Sequence, residues 1–300
     1  MSSNNLIPTN NNMGHESGAL GPFNTWLFLE EAFLKKCPSR KQLTVTQELK
    51  TREAIHDFLI RLGMSLKLEG KSILAAAIYV ARFYMRFPIT SSKYFVASSA
   101  MGISCKLYDN YRPLDKIALV ACGIKNPNKT IDEQSEVFWQ WRDQLLYREE
   151  LILRHLNFDL DIQLPYTIKD DLMEKLEPDE TIFYKKIGDI LRNTISLIEL
   201  LSSLPILVAY DMRAVFGSML VYVVYEIREK FEEIVTIPQN FLESKLRVDL
   251  RLCYRCYKYV MTLLSFCDNP DPRLHSHKNA LKRMKHIDLD TFISVANTVS

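Results

Sequence analysis

Residues 93–107, KYFVASSAMGISCKL, decide the fold. Tyr94, Phe95, Val96, Ala97, Ala100, Met101 and Ile103 put apolar groups on nearly every side of a helix, the pattern of a central helix wrapped by others. Ala97, Ser99 and Gly102 are small, so neighbouring helices can come close. Charge is confined to the two ends, Lys93 and Lys106. A second pattern, roughly 134–156, has an apolar stripe of Phe138, Trp141, Leu145, Ile152 and Leu156, with Glu149 in the missing turn. A carboxylate there needs a partner, and packing the two helices together would bring Lys106 and Glu149 to one rim of a bundle. Each residue alone has an ordinary explanation. A lysine at a helix C-terminus gains about 0.3–1 kcal/mol from the macrodipole, and a glutamate in a stripe can snorkel to its edge.

Working outward, helical patterns run at about 47–67, 71–87, 93–107, 114–122 and 134–156, with a lead helix at about 24–37. Pro88, Pro113 and Pro127 stand in three of the connections, where helices should stop. After a non-helical bridge to Pro165, patterns resume at about 166–176, 179–202, 206–230, 238–267 and 287–297. The segment Ala214–Tyr225 carries Ala214, Gly217 and Ser218 among large apolar residues and is the candidate hub of the second half. No run shows the sustained alternation a sheet needs. Residues 1–22, rich in Asn, Ser and Gly, read as a flexible tail.

Composition narrows the function. An apolar share of 47% supports real cores, and 38 basic against 36 acidic residues leave +2, no case for indiscriminate nucleic-acid binding. The first residues are polar, so no secretory leader is expected, and six scattered cysteines point to a reducing compartment. The longest apolar stretch of the second half is too short for a span of about 20 residues, so no membrane association is expected. Cys253 and Cys256, followed by Cys267, His275 and His277, have zinc-like spacing but lie within one helical pattern, and are read as core cysteines. With nine glycines, phosphate loops are hard to build, and no nucleophile arrangement stands out. Arg273, Lys278, Lys282, Arg283 and Lys285 read as a solvated face beside Asp288 and Asp290, not as a nucleic-acid site.

Several of these stretches, in order, resemble the cyclin box. Lys106 sits in Ile103-Ser104-Cys105-Lys106-Leu107, like the family's Ala-Ser-Lys pattern, and Glu149 stands nine residues before Phe158 in Leu156-Asn157-Phe158-Asp159-Leu160, like its Leu-x-Phe-Asp-Leu ending. Ala76, Ile78 and Tyr79 leading to Arg82-Phe83-Tyr84 are similar to the second cyclin-box helix, and Trp26-Leu27-Phe28 with Pro38-Ser39-Arg40 to the N-terminal segment of transcription cyclins such as cyclin T and cyclin K. Two departures stand out. Leu107-Tyr108-Asp109 keeps only the second of the family's two acidic residues after the lysine. Thr51-Arg52-Glu53-Ala54-Ile55 replaces the cell-cycle docking motif Met-Arg-Ala-Ile-Leu and sets Glu53 in its hydrophobic patch, which favours a transcription-type cyclin.

The resemblance implies an all-α protein of two tandem five-helix cyclin-box folds with an N-terminal lead helix. The expected divisions are 1–22 as tail, 23–160 as the N-terminal box, 161–268 as the C-terminal fold and 269–300 as a tail with a short helix. It further implies a nuclear, non-catalytic subunit that binds a cyclin-dependent kinase as a heterodimer and acts on the RNA polymerase II elongation machinery through that kinase. The kinase-binding residues it implies are Lys106, Glu149, Phe158, Leu160, Asp109 and Trp26. No catalytic residue, cofactor, metal or direct nucleic-acid contact is expected. The alternatives are a cyclin-fold general transcription factor, which would need a zinc ribbon and a stronger basic face, and a helical scaffold without a kinase partner.

Overall fold

The computed structural model describes residues 26–89, 92–176, 180–231, 235–267, 281 and 284–296. The expected tail at 1–22 lies outside them, as do Arg273, His275, His277, Lys278, Lys282 and Arg283. All the described regular structure is helical, without strands. The first half consists of α1 (Val45–Ser65), α2 (Gly70–Phe83), α3 (Lys93–Leu107), α4 (Leu114–Lys125) and α5 (Glu136–His155). The second consists of α6 (Pro165–Lys175), α7 (Ile182–Leu201), α8 (Met212–Phe231), the single turn α9 (Phe241–Ser244), α10 (Leu250–Cys267) and α11 (Leu289–Ala296).

α3 is the hub of the first half, buried at every position from Val96 to Cys105 and packed by α1, α2, α4 and α5. α8 plays the same part in the second, buried without a break from Ala214 to Val224 and packed by α6, α7, α10 and α11. Local chemistry sets the helix ends. Thr44 opens α1 with a capping box: its hydroxyl accepts from Gln47 N at 3.2 Å, and Gln47 Oε1 accepts from Thr44 N at 2.9 Å. α1 closes with Lys67 at φ 53° and Leu68 N donating to Gly63 O, a Schellman turn. At Gly63 a Cβ would meet Ile73 Cδ1 at 2.4 Å, so the glycine allows the close approach of α1 and α2.

The two halves share apolar surface. Leu49, Leu74, Ile78, Ala81 and Met85 of the first half belong to the second half's core, and so do Phe33 and Cys37 of the N-terminal segment. That segment differs from the expected 24–37 helix. Trp26 and Phe28 precede a π-helical turn, Ala32–Lys36, and a 3₁₀ turn, Pro38–Lys41. A continuous helix would lay its side chains on one bundle, whereas this chain serves both. Trp26 enters the first core, Phe28 N donates to Val208 O at 2.7 Å, and Tyr210 OH donates to Glu30.

A buried carboxylate ties the segment down. Glu48 of α1 is 0% exposed, and it accepts from Arg40 Nη2 and, at 2.9 Å, from Arg52 Nε. Arg40 also donates to Leu43 O at 2.8 Å and to Phe33 O at 3.2 Å, and both guanidinium groups lie over the Phe33 ring. Ser39 Oγ accepts from Ile89 N at 3.0 Å. The Pro38-Ser39-Arg40 stretch is thus a structural clamp.

Three further boundaries depart from expectation. α8 begins at Met212 because Pro205–Val208 forms a separate 3₁₀ turn, and the 238–267 pattern divides into α9 and α10 around Arg247, at φ 56°. Residues assigned to a C-terminal tail are part of the second core: Ile287, Phe292, Val295 and Ala296 are at most 2% exposed. Tyr257 OH donates to Lys285 O and accepts from Ile287 N, and Tyr222 OH accepts from Lys285 N at 3.1 Å, strapping the segment onto α8 and α10.

Replacing Glu48 by Gln leaves two guanidinium groups facing a neutral amide in a buried site. We expect a loss of about 3–5 kcal/mol, the cost of breaking a buried charge network, read as a lower urea midpoint with an unchanged m-value.

Candidate functional site

α3 delivers Lys106 to the surface in its last turn. The helix closes with Tyr108 N donating to Ser104 O and Asn110 N to Cys105 O, which places Asp109 in the left-handed region at φ 54°. Asp tolerates that conformation, and its side chain is exposed. Asn110 Nδ2 bonds Ser72 Oγ at 3.2 Å and fixes the turn against α2. α5 is keyed to α3 by Ser99 Oγ, which donates to Leu145 O at 3.0 Å. One turn on, Lys106 Nζ meets Glu149 Oε1 at 2.5 Å, the lysine side chain 50% and the glutamate 16% exposed. The carboxylate is the anchored partner. An ammonium has three donors, so the half-exposed lysine keeps donor capacity for another molecule.

At the far end of α5 the chain leaves through a strained turn. Asn157 and Phe158 stand at φ 53° and 54°, with Phe158 N donating to Leu153 O at 2.9 Å. An aromatic residue in the left-handed region costs of order 1–3 kcal/mol and persists only where its surroundings over-determine it. Here they do. Tyr79 OH donates to Leu160 O at 2.8 Å, Arg82 Nη1 to Asp159 O at 3.3 Å and Arg86 Nη1 to His155 O at 2.7 Å. Trp26 Nε1 donates to Asp159 Oδ2 at 2.8 Å, and its ring lies under the Arg86 guanidinium at 4.1 Å. Phe158 is left 67% exposed. The His155 ring packs edge-on against Phe87 at 4.3 Å, and burial, then the charges of Arg86 and Arg154, lower its pKa.

Among the sequence-predicted residues, Lys106 and Glu149 meet, Asp109 stands in the left-handed turn that ends the helix carrying Lys106, and Phe158 is presented to solvent. Leu160 is half-buried against the first core. Trp26 departs from expectation as a contact residue: at 1% exposure its ring cannot touch a partner, and it positions the turn that carries Phe158. The sequence reading missed Arg86 and the joint action of Tyr79, Arg82 and Arg86. Their signal was spacing, three and then four residues, from α2 into the turn that follows it.

Elsewhere, Cys253 and Cys256 are buried on one face of α10, and burial raises both thiols. Among the described residues no group of three or more His, Cys, Asp or Glu side chains could hold a metal, and no helix is long and apolar enough to cross a membrane.

Residues 24–161 match the family "Cyclin, N-terminal domain". The matched stretch carries the whole of the site just described. Among the relatives, Cyclin pch1 of Schizosaccharomyces pombe is 30% identical over 158 residues, covering 52% of this chain and 46% of that protein. Cyclin-T1-2 of Oryza sativa subsp. japonica is 29% identical over 183 residues, covering 58% and 29%. Human Cyclin-T2 is 27% identical over 150 residues, covering 49% and 20%. The chain thus spans less than half the length of each of these three relatives. The fold is shared more widely: a chain of the crystal structure titled as the yeast RNA Pol II CTD kinase CTDK-1 complex superposes with a TM-score of 0.60 at 14% identity, covering 91% of this chain and 84% of that one.

Trp26→Phe keeps the buried ring and deletes the bond to Asp159. We expect a stability loss of about 1 kcal/mol and faster amide exchange confined to Asn157–Asp161, with α3 and α4 unaffected.

Proposed function

We propose that this chain is the regulatory cyclin subunit of a nuclear cyclin-dependent kinase that phosphorylates the RNA polymerase II C-terminal domain and promotes transcription elongation. One observation carries the proposal: on a stretch that matches the cyclin N-terminal domain, a half-exposed Lys106 is held by Glu149, and the same helix α5 leads into an exposed Phe158 whose backbone is held in a strained turn. The relatives named as cyclins support the regulatory assignment, and the choice of substrate rests on the likeness of Trp26-Leu27-Phe28 and Pro38-Ser39-Arg40 to transcription cyclins.

In this assignment Lys106 donates to backbone carbonyls of the kinase, and Glu149 and the turn at Asp109 keep it aimed. Phe158 presses on the kinase regulatory helix, with Leu160 beside it and Trp26 behind the turn. A kinase needs its β3 lysine paired with the regulatory-helix glutamate before ATP is oriented, so holding that helix inward switches on catalysis without a catalytic group from the cyclin. The elongation machinery is engaged through the kinase, with no direct nucleic-acid contact. We assign two tandem cyclin folds, an N-terminal one over 23–160 and a C-terminal one from 161 that extends through α11.

Lys106→Glu or Glu149→Lys should each cost about 2–5 kcal/mol of kinase binding, the penalty for breaking a desolvated charged contact, and Phe158→Ala about 2 kcal/mol or more. The double reversal restores the internal pair but not activation, because a glutamate at 106 offers carbonyl oxygens no donor. Co-expression with the cognate kinase, affinity, peptide phosphorylation and the free chain's Tm check this together. Variants that melt normally and still activate fully would refute the assignment. Deleting 1–22 should leave binding intact, whereas deleting 23–40 removes the Arg40 clamp and should unfold the free chain.

A further inference from the structure

The sequence of α10, LRLCYRCYKYVMTLLSFC, contains Arg251, Arg255 and Lys258 and no carboxylate. Its inner face, with Cys253, Cys256, Tyr257, Val260 and Leu263, is buried in the second core. Its outer face is exposed at Arg251, Arg255, Lys258, Thr262 and Ser265. Those steps of four, three, four and three residues keep one side of a helix, and the three cations line up over about 10 Å of its axis. Arg247, exposed in the left-handed turn before the helix, adds a fourth cation at the same end.

This placement works against the helix itself. Cations in the opening turns meet the positive end of the macrodipole, which disfavours them. An acid four residues away would offset that, and α10 has none. Asp249 is committed as the cap: its Oδ1 accepts from Arg251 N at 3.2 Å and its carbonyl from Cys253 N at 3.0 Å. Among the described residues, none of Arg247, Arg251, Arg255 and Lys258 is in an ion pair. Carboxylates stand only beside the ridge. Tyr254 and Tyr259 mark its two edges. The Tyr254 hydroxyl is raised in pKa by burial and then by Asp288 and Asp290, and that of Tyr259 by burial and then by Glu30.

We propose that this ridge docks an extended acidic segment of a partner protein with carboxylates on alternate residues. On an extended chain, side chains two residues apart project to one side about 7 Å apart. That matches the step of about 6 Å from Arg251 to Arg255, and a third carboxylate reaches Lys258. The two guanidinium groups offer the paired donors that carboxylates accept. A nucleic acid fits the ridge less well. No exposed aromatic side chain stands among the cations to stack a base, and the carboxylates at both edges repel the phosphates of a ligand wider than one helix. The ridge shares no residue with the Lys106–Glu149 rim or the Phe158 turn, so the inference does not rest on the kinase assignment.

The test uses the full chain and a fluorescein-labelled nonapeptide, Ser-Gly-Glu-Ser-Glu-Ser-Glu-Gly-Ser, read by fluorescence anisotropy at low salt. We expect saturable binding that weakens as salt is raised. Replacing the glutamates by glutamines, or combining Arg251→Gln with Arg255→Gln in the protein, should weaken it by about tenfold or more. Lys185→Gln with Lys230→Gln removes the same charge from exposed positions of α7 and α8 and should bind like the wild type. The arginine variant should melt at or above the wild-type Tm, because it takes cations away from the positive end of a helix. Five results would each overturn the proposal: no saturable binding, equal binding of the glutamine peptide, equal losses in the two double variants, a lower Tm for the arginine variant, or binding of a labelled single-stranded oligonucleotide of equal charge as tightly as the peptide. None of them bears on the kinase contact.

Discussion

The Glu48 carboxylate, wholly enclosed and shared between Arg40 and Arg52, is the constraint on which the rest of the molecule depends. A charge in that position is tolerable only with both partners in place. Keeping Arg40 there fixes the N-terminal segment, which supplies Trp26 to the first core, Phe33 and Cys37 to the second, and backbone and side-chain bonds to Val208 and Tyr210 between them. The two halves are therefore joined by shared apolar packing and by this strap. Relative movement would expose Leu49, Ile78 and Met85 and strand the arginines.

That rigidity is transmitted to the surface features a partner would meet. Trp26, placed by the strap, bonds Asp159 and lies beneath Arg82 and Arg86, which with Tyr79 hold the carbonyls of the turn after α5. The strained backbone at Phe158 is sustained by these bonds, so the position of the exposed residue is set by the fold itself. Ordering costs are then met during folding rather than during association, which favours tight binding from a modest surface. Lys106 is prepared in the same way, by Glu149 on one side and the Asp109 turn on the other.

The helical class and the two hubs were legible in the chain because burial on all sides leaves a continuous apolar run, and 93–107 and 214–224 each contain one. The Lys106–Glu149 pair was legible because a charge interrupting an apolar stripe demands a counter-charge, and only helices packed as a bundle could supply it. Trp26 misled for a physical reason. Its position in a motif carries no information on whether an indole faces out to a partner or in to Asp159, and the distance between 26 and 159 along the chain hides the bond.

By itself, then, the sequence determined what local periodicity and residue chemistry can encode: an all-helical chain, its hubs, its main helix limits, and the lysine and glutamate that pair at the rim. The tertiary structure decided what depends on contacts between distant segments. It broke the lead helix into turns because that stretch must reach both cores, drew α11 into the second core through Tyr222 and Tyr257, and turned Trp26 inward while leaving Phe158 exposed. It also turned Arg251, Arg255 and Lys258 outward on α10, flanked by carboxylates from residues as far apart as Glu30 and Asp288. No window along the chain spans such a separation, and only the packed fold brings those groups within reach of one another.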